Sequence, residues 1–210
     1  MNRKITFLLT ALSFVKVSYA QERKVSYEVQ AGTVISDIKR TLNDAEAGVG
    51  TYARGLMDFN LSPMFSIQTG LGYRLSNFKS EYGNAYWTND GYVFSPHGKM
   101  KIRTHWLDVP LNAKFTFALG NDRIAVTAGP YASLLVGGRM RDVETGENVK
   151  LEFDKFSDRL DYGANIGVSY IIKERLSLNA MYSFGLKDHD SSKDFKEQFR
   201  TGYLGAGYKF

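Results

Sequence analysis

The sequence contains no cysteine, four prolines and three histidines among its 210 residues. The absence of cysteine excludes disulfide scaffolds, thiolate catalysis, cysteine-type zinc sites and lipid attachment to a mature N-terminal cysteine. No apolar run reaches the length of about eighteen residues that a membrane-spanning helix needs, which excludes a bundle of such helices. A content of 43% hydrophobic and 14% aromatic residues excludes intrinsic disorder. We therefore expect one ordered domain, and these absences leave membrane crossing by strands open.

The first twenty residues have the pattern of a secretory signal peptide. A mostly apolar stretch from Ile5 to Val17 follows two basic residues, and the small residues Ser18 and Ala20 stand two apart after it. The stretch is too short to cross about 30 Å of hydrocarbon, and Lys16 interrupts it. We expect cleavage after Ala20, so that residues 21–210 form the mature domain. Its 24 basic and 22 acidic residues give a net charge of only +2, and no nucleic-acid partner is expected.

Apolar and polar residues alternate with period two along the mature chain, which indicates strands with two unlike faces. The clearest example runs from Leu176 to Leu186, where bulky side chains alternate with Ser, Asn, Met and Gly. Such runs match the length of about 9 to 11 residues that a tilted strand needs to cross a bilayer. Eight strands are predicted, at residues 25–36, 48–59, 65–78, 102–117, 123–137, 159–171, 176–187 and 201–210.

The predicted connections alternate in length, as they do in outer-membrane barrels. Short turns at 60–64, 118–122 and 172–175 interleave with long polar segments near 37–47, 79–101, 138–158 and 188–200. An even strand number with both termini at the short-turn end closes the sheet, so that no backbone edge faces lipid. The predicted fold class is all-β, an eight-stranded antiparallel up-and-down transmembrane β-barrel in the outer membrane. The alternative architecture is a secreted soluble β-sandwich.

The composition of the less bulky face indicates which side meets lipid. It is rich in Gly, Ser, Asn, Thr and Gln, whereas a water-exposed sheet face would be rich in Lys and Glu. The glycine pairs Gly70-x-Gly72 and Gly205-x-Gly207 follow the strand period and belong to this face. We therefore expect a polar interior that is filled rather than open. Its predicted ionisable network comprises Glu28, Arg54, Arg74, Asp108 and Lys114, and counting from the short turns pairs Arg74 with Asp108 and Glu28 with Arg54.

Aromatic residues cluster toward both ends of the strands, which predicts two interfacial girdles. The girdle at the short-turn end contains Phe59, Phe65, Phe115, Phe117, Tyr170, Tyr208 and Phe210, and the other contains Tyr73, Phe78, Phe156, Tyr162 and Phe184.

Two prolines are unusual within this pattern. Pro110 and Pro130 lie inside predicted strands four and five, where each removes a hydrogen-bond donor from the ladder. The sheet is expected to contain either a bulge or a locally weakened seam there.

The sequence offers little catalytic chemistry. A lipid-facing hydrolase would need a histidine near a serine, and His105 with Ser76 is the nearest combination. A divalent cation could bind Asp188, His189, Asp190 and Asp194, although a solvated charged loop is the favoured interpretation. We therefore assign no catalytic residue, no metal site and no cofactor.

The segment 79–101 contains aromatic residues interleaved with Gly, Asn and Asp. Exposed aromatics of this kind are candidate contacts for a glycan or a protein partner. The alternative, which we favour, is that they pack against one another and cap the barrel mouth. These residues are Tyr82, Tyr86, Trp87, Tyr92 and Phe94.

Four motifs resemble the outer-membrane β-barrel domain common in Bacteroidota, often labelled PorT-like or porin family. They are Leu107-Asp108-Val109-Pro110-Leu111, Ala128-Gly129-Pro130-Tyr131, Tyr182-Ser183-Phe184-Gly185-Leu186 and Leu204-Gly205-Ala206-Gly207-Tyr208-Lys209-Phe210. The resemblance covers the mature chain and implies the barrel fold and an outer-membrane location. It implies no common catalytic activity. The face formed by Leu204, Ala206, Tyr208 and Phe210 is similar to the C-terminal signal that the barrel assembly machinery recognises.

These patterns together predict a barrel with a plugged polar lumen and a non-enzymatic structural or surface-binding role. The alternatives are a small-solute channel and, less favoured, a lipid-modifying enzyme. The expected partners are outer-membrane lipids, the barrel assembly machinery, and an extracellular glycan or protein whose identity the sequence does not indicate.

Overall fold

The structure is a computed structural model that describes residues 24–40, 46–88, 91–151, 155–188 and 197–210, with the backbone alone at 39–40, 82–88 and 91–96. The predicted signal peptide at residues 1–20 lies outside the described residues. Within the described part, the secondary structure is almost entirely β. The strands are β1 Val25–Arg40, β2 Glu46–Asn60, β3 Phe65–Thr88, β4 Gly91–Leu119, β5 Asp122–Asp142, β6 Asn148–Lys150, β7 Leu160–Ile172, β8 Leu176–Gly185 and β9 Glu197–Lys209.

Eight of these strands close into an antiparallel ring. Each of β1 to β5 pairs with the next, β5 then pairs with β7, and β7, β8 and β9 follow in order. The ring closes where β1 pairs with β9 over thirteen residue pairs, from Glu28 opposite Lys209 to Arg40 opposite Glu197. The short strand β6 adds only to the end of β5. Every described ring strand therefore has two hydrogen-bonded neighbours, as the predicted barrel requires.

One short 3-10 helix, Phe156–Arg159, precedes β7. No helix in the described part of the chain is long and apolar enough to cross a membrane.

The strands at the long-loop end extend much further than predicted. The segment 79–101, expected to be a polar loop, continues β3 to Thr88 and begins β4 at Gly91, with Trp87 opposite Tyr92. Segments 37–47, 138–158 and 188–200 likewise contribute residues to β1, β2, β5, β6 and β9. Apolar alternation failed to reveal these extensions because a ladder that has left the hydrocarbon can carry polar side chains on both faces.

The two prolines do not produce bulges. The register of β3 with β4 is the same at Thr69–Leu111 and at Gly72–Asp108, on either side of Pro110. The register of β4 with β5 is likewise the same at Pro110–Tyr131 and at Ala113–Ala128. The residue pairs between these points are not bridged, so the seam is locally weakened. The actual irregularities lie elsewhere, between Ala47 and Thr51, Tyr82 and Gly83, and His105 and Trp106.

The bulky face points outward and the small polar face points into the ring, as expected. Buried lumen residues include Ser66, Gln68, Gly72, Arg74 and Ser76 on β3, while the side chains between them are mostly exposed. Most predicted girdle aromatics lie on the outer wall, and Phe65 packs on Phe115 with ring centroids 4.9 Å apart.

Phe78 is an exception to the predicted girdle. It is buried inside the ring because it has the same strand parity as Arg74 and Ser76. Its assignment to the outer girdle was therefore wrong.

Gly129 allows a close approach of β5 to β4 next to the weakened seam. A Cβ atom at Gly129 would lie 2.1 Å from the carbonyl oxygen of Leu111, whereas one at Gly55 would meet nothing within 4 Å. We expect Gly129→Ala to lower the free energy of unfolding from lipid vesicles by about 1–3 kcal/mol, the usual cost of overpacking. Gly55→Ala is the matched control and should change it much less. Urea titration followed by tryptophan fluorescence measures both, and equal stabilities would contradict the close approach.

Candidate functional site

The interior near the short-turn end is organised around buried charges. The Lys114 ammonium lies 2.7 Å from Asp58 Oδ2 and 3.6 Å from Glu28 Oε2, with all three side chains at most 4% exposed. Lys209 approaches the same Asp58 oxygen at 3.8 Å, and the amide of Gln68 donates to Asp58 Oδ1 at 2.8 Å. The two carboxylates are thus neutralised by cations that come from β4 and β9.

Glu28 and Arg54 are linked indirectly, not as the predicted ion pair. Arg54 Nε donates to Gln30 Oε1 at 2.7 Å, and Gln30 Nε2 donates to Glu28 Oε1 at 2.6 Å. Register explains the difference, since Arg54 lies directly opposite Gln30 while Glu28 lies opposite Leu56. Ser177 Oγ also donates to Glu28 Oε1, at 2.5 Å, so the carboxylate is also held from β8, two strands away from β1. The prediction of a direct Glu28–Arg54 pair was wrong.

Arg74 and Asp108 form the predicted ion pair nearer the long-loop end. Arg74 Nε and Nη2 donate to the two carboxylate oxygens of Asp108 at 3.0 and 3.2 Å. Asp108 lies opposite Gly72 rather than Arg74, so the pair is a diagonal one that the long arginine side chain spans. Ser133 Oγ donates a further hydrogen bond to Asp108 at 2.6 Å.

Apolar and aromatic side chains complete the filling, a feature that the expectation of a polar interior missed. Tyr52 and Tyr203 pack edge to face at 5.2 Å between ring centroids, beside buried Val34. The Arg54 guanidinium lies over the Tyr52 ring, 5.2 Å from its centroid, and the Arg74 guanidinium lies 5.0 Å from the Trp106 centroid. Arg74 is therefore held by a counter-charge and an aromatic face, and Arg54 by a hydrogen bond to Gln30 and an aromatic face.

A second apolar cluster lies further toward the long-loop end of the lumen. Buried Ile38 and Phe78 form it, with Ile102 and Phe199 packed against them. The upper part of the lumen is thus lined by apolar side chains, not by polar ones alone.

The described side chains leave little open space inside the ring. The cavity beside Tyr52, Arg54 and Tyr203 has a volume of about 20 Å³. A volume of that size holds roughly one water molecule. A larger cavity of about 650 Å³ lies at the short-turn end, where Asp58, Arg123 and Lys209 are among its lining residues. The barrel therefore has an open mouth at that end and a filled middle.

Sequence reasoning missed several members of the interior network. Asp58 has the same parity on β2 as Arg54, so alternation alone could have placed it inside. Asp161 accepts a hydrogen bond from the Tyr131 hydroxyl at 2.8 Å, and its position at the start of β7 concealed it. Lys209 was recognised only as part of the C-terminal motif. Lys209 alternates with Tyr208 and Phe210, which were expected to face outward, so the same pattern could have placed its side chain inside.

The catalytic combination of His105 and Ser76 is not supported. Ser76 is opposite Thr104 in the ladder and is buried in the lumen, whereas His105 lies on the outer wall. A hydrogen bond of 2.5 Å joins Nδ1 of His105 to the Tyr73 hydroxyl instead.

No cluster of three or more His, Cys, Asp or Glu side chains with metal-binding geometry occurs in the described part of the chain. His189, Asp190 and Asp194 of the possible cation loop lie outside the described residues, and only Asp188 of that group is described.

Beyond the lumen, β3 and β4 form a long hairpin at the long-loop end. The side chains of Tyr82, Tyr86, Trp87, Tyr92 and Phe94 lie outside the described residues, but their backbones belong to the paired strands. Near the base of this hairpin, Glu46 lies 3.4 Å from Lys79 and 3.5 Å from Lys99. The hydrogen bond from Lys79 and the charge of Lys99 lower the pKa of Glu46. These exposed charges compensate one another.

The C-terminal strand presents its predicted assembly face to the outside. Leu204, Ala206, Tyr208 and Phe210 are all exposed, and the rings of Tyr208 and Phe210 pack with centroids 5.1 Å apart. Recognition of this face by the assembly machinery stays a prediction.

The amino-acid sequence matches a known protein family. Residues 19–191 match the family model described as outer membrane protein beta-barrel domain. No curated protein sequence matches the chain.

Several solved structures are similar in fold at low sequence identity. The attachment invasion locus protein Ail of Yersinia pestis, in complex with the heparin analogue sucrose octasulfate, is 12% identical with a TM-score of 0.46, over 90% of this chain and 100% of that one. Neisserial surface protein A is 17% identical with a TM-score of 0.45, over 87% and 95%. OprG from Pseudomonas aeruginosa is 12% identical with a TM-score of 0.45, over 90% and 97%.

The Arg74–Asp108 pair should be sensitive to removal of one partner. Asp108→Asn leaves the buried guanidinium without its counter-charge, so we expect the free energy of unfolding to fall by about 3–5 kcal/mol. The same carboxylate-to-amide change at exposed Glu174, which pairs with Arg123 at 2.6 Å, should cost at most about 1 kcal/mol.

A double variant that lacks both partners serves as the control for the loss of one charge. Arg74→Met with Asp108→Leu leaves no uncompensated charge and should recover most of the loss. Urea unfolding in vesicles measures all three variants, and an Asp108→Asn barrel as stable as Glu174→Gln would count against the pair.

Proposed function

The chain belongs to the outer membrane protein beta-barrel domain family, and from that premise we propose that it is a non-enzymatic surface-binding protein with a sealed lumen. It lies in the outer membrane. The observation that carries the proposal is the filled interior, in which paired charges and aromatic rings leave about 20 Å³ beside Arg54 and Tyr203. A protein that conducts solutes needs an open path. The proposal therefore assigns function to the exposed strand extensions.

The long β3–β4 hairpin is the part of the chain best suited to this role. Its strands contain 24 and 29 residues, while about 9 to 11 suffice for a tilted strand to cross the bilayer. More than half of the hairpin therefore extends beyond the hydrocarbon. We infer that Tyr82, Tyr86, Trp87, Tyr92 and Phe94 supply contacts for an extracellular glycan or protein, because aromatic residues dominate such interfaces. The continuation of their backbones as paired strands, instead of a separate loop, favours this role over a cap on the barrel mouth.

Two finer assignments belong to this proposal. The motifs around Pro110 and Pro130 and at Leu204–Phe210 support a PorT-like, Bacteroidota-type member of the family. The separation of His105 and Ser76 onto opposite faces of the sheet supports a role without catalysis, because no hydroxyl nucleophile reaches that imidazole from Ser76. Export through the signal peptide at residues 1–20 and assembly through the face ending at Phe210 are part of the same proposal.

Electrical recording tests the sealed lumen directly. Purified protein reconstituted in a planar bilayer should give no stable conductance step in 1 M KCl, because the described side chains fill the middle of the lumen. A large barrel of about sixteen strands, reconstituted identically, serves as the positive control. A reproducible conductance that scales with salt concentration would instead establish the channel alternative.

The hairpin is tested by substitution of its tryptophan. On an array of surface glycans and purified extracellular proteins, wild-type protein should retain a ligand that Trp87→Ala binds at least about thirtyfold more weakly, as for a hot-spot aromatic residue. Phe156→Ala is the matched control, since this aromatic residue is 63% exposed at the same end of the barrel but outside the hairpin. Equal binding by wild type and Trp87→Ala would refute the assignment, as would the absence of any ligand.

A further inference from the structure

A patch of positive charge without an acidic partner among the described residues lies on the outer wall of the barrel. It comprises Lys101 and Arg103 on β4, Arg139 and Arg141 on β5, and Lys150 on β6, and we call it the basic wall. All five side chains are exposed. Arg103 is held in place by a 3.1 Å hydrogen bond from its Nε to Asn77 Oδ1 on β3.

The register of the sheet places these charges directly opposite one another. Arg103 is paired with Arg139, which is paired in turn with Lys150. Lys101 is paired with Arg141 in the next row. Directly opposed side chains have Cβ atoms about 5 Å apart, and like charges at that distance destabilise the sheet. Water can hydrate these exposed charges, and an anion that lies between them would relieve their mutual repulsion further.

Neighbouring residues show what compensation by the protein itself looks like. Lys79 lies directly opposite Lys101 on β3, and Lys99 lies two residues further along β4. Both ammonium groups are paired with Glu46, and Lys99 also pairs with Glu81 at 3.3 Å. Among the residues that the structure describes, no carboxylate forms such a pair with Lys101, Arg103, Arg139, Arg141 or Lys150. The basic wall is therefore left for an external anion.

The position of the basic wall indicates where that anion comes from. Arg103 lies twelve residues above Phe115 of the lower girdle along β4, which is about 30 Å along the barrel axis at the usual strand rise and tilt. The apolar band of such barrels is about 25 Å tall, so the basic wall begins just beyond it. Between them, Tyr73 and Val109 lie exposed on the same outer surface. The patch is thus continuous with the surface that faces acyl chains.

We propose that the basic wall binds the phosphate groups of a phosphorylated glycolipid in the outer leaflet. The acyl chains would lie along the apolar wall below, and the phosphates would lie between the opposed rows of guanidinium and ammonium groups. Arginine suits this role because its planar guanidinium donates two parallel hydrogen bonds to phosphate. A lipid fits better than a soluble anion, because the charges face sideways from the barrel at the membrane boundary and not into the extracellular mouth. The site is separate from the aromatic hairpin residues and does not depend on their binding role.

Native mass spectrometry of the detergent-solubilised full barrel tests the proposal. The probes are diphosphorylated lipid A and the same lipid after removal of both phosphates. Wild type should retain the phosphorylated lipid, and Arg103→Gln with Arg139→Gln should bind it about thirtyfold more weakly, the effect of two basic side chains near an anionic lipid surface. Lys155→Gln with Lys173→Gln removes the same charge from exposed positions outside the basic wall and should bind like wild type.

Further measurements identify the source of the anion and check that each variant is folded. Arg103→Lys with Arg139→Lys keeps the charge and should retain more binding than the glutamine variant, and a heat-dependent gel shift verifies that each barrel is folded. Wild-type binding that is equal for both lipids, or unaffected by the glutamine substitutions, overturns the proposal. So does displacement of the lipid by millimolar inorganic phosphate or a sulfated disaccharide, which would identify a soluble anion as the ligand. A Trp87→Ala barrel with undiminished lipid binding distinguishes this site from the hairpin.

Discussion

Closure of the sheet by β1 and β9 is the constraint on which the rest of the molecule depends. In hydrocarbon, an unpaired backbone amide or carbonyl has no water to bind, so an open strand edge is too costly. The thirteen residue pairs between β1 and β9 remove that edge. Closure with only eight strands makes the lumen narrow, so that side chains fill it. The polar residues on the inner face then have little access to water and must find partners among themselves.

The buried charged groups satisfy that requirement in two ways at two depths. Near the short-turn end, Lys114 and Lys209 neutralise Asp58 and Glu28. Further up, Arg74 is neutralised by Asp108 and covered by the Trp106 ring. The long cationic side chains thus bind carboxylates through their head groups while aromatic faces exclude water. The same packing fills the middle of the lumen with described side chains, and the proposal of surface binding rather than transport rests on it.

The charges on the outer wall are arranged differently from those in the lumen. On the outer wall, Lys79 and Lys99 have acidic partners, while the rows from Lys101 to Lys150 are exposed cations placed opposite one another. Exposed charges can remain hydrated, so an uncompensated group costs far less there than inside the lumen. Water therefore permits an arrangement on the outer wall that the interior excludes. The described charges of the lumen are therefore mostly paired within the protein, whereas those of the basic wall are exposed to the surroundings of the barrel.

Residue periodicity by itself determined the number of strands in the ring, the closed architecture and the face of most side chains. Each side chain faces one of two environments, and the alternation of apolar and polar residues records which one. Periodicity also predicted the Arg74–Asp108 pair, because counting residues from the short turns places both side chains at the same depth. Only the tertiary structure decided that Glu28 binds Lys114 and Ser177 rather than Arg54. Those partners come from β4 and β8, which are not neighbours of β1, and their approach depends on the diameter and shear of the whole ring. The tertiary structure also decided that β3 and β4 extend through residues 79–101. Outside the bilayer, hydrogen bonding to the neighbouring strand maintains the sheet, and no apolar face is needed to signal it.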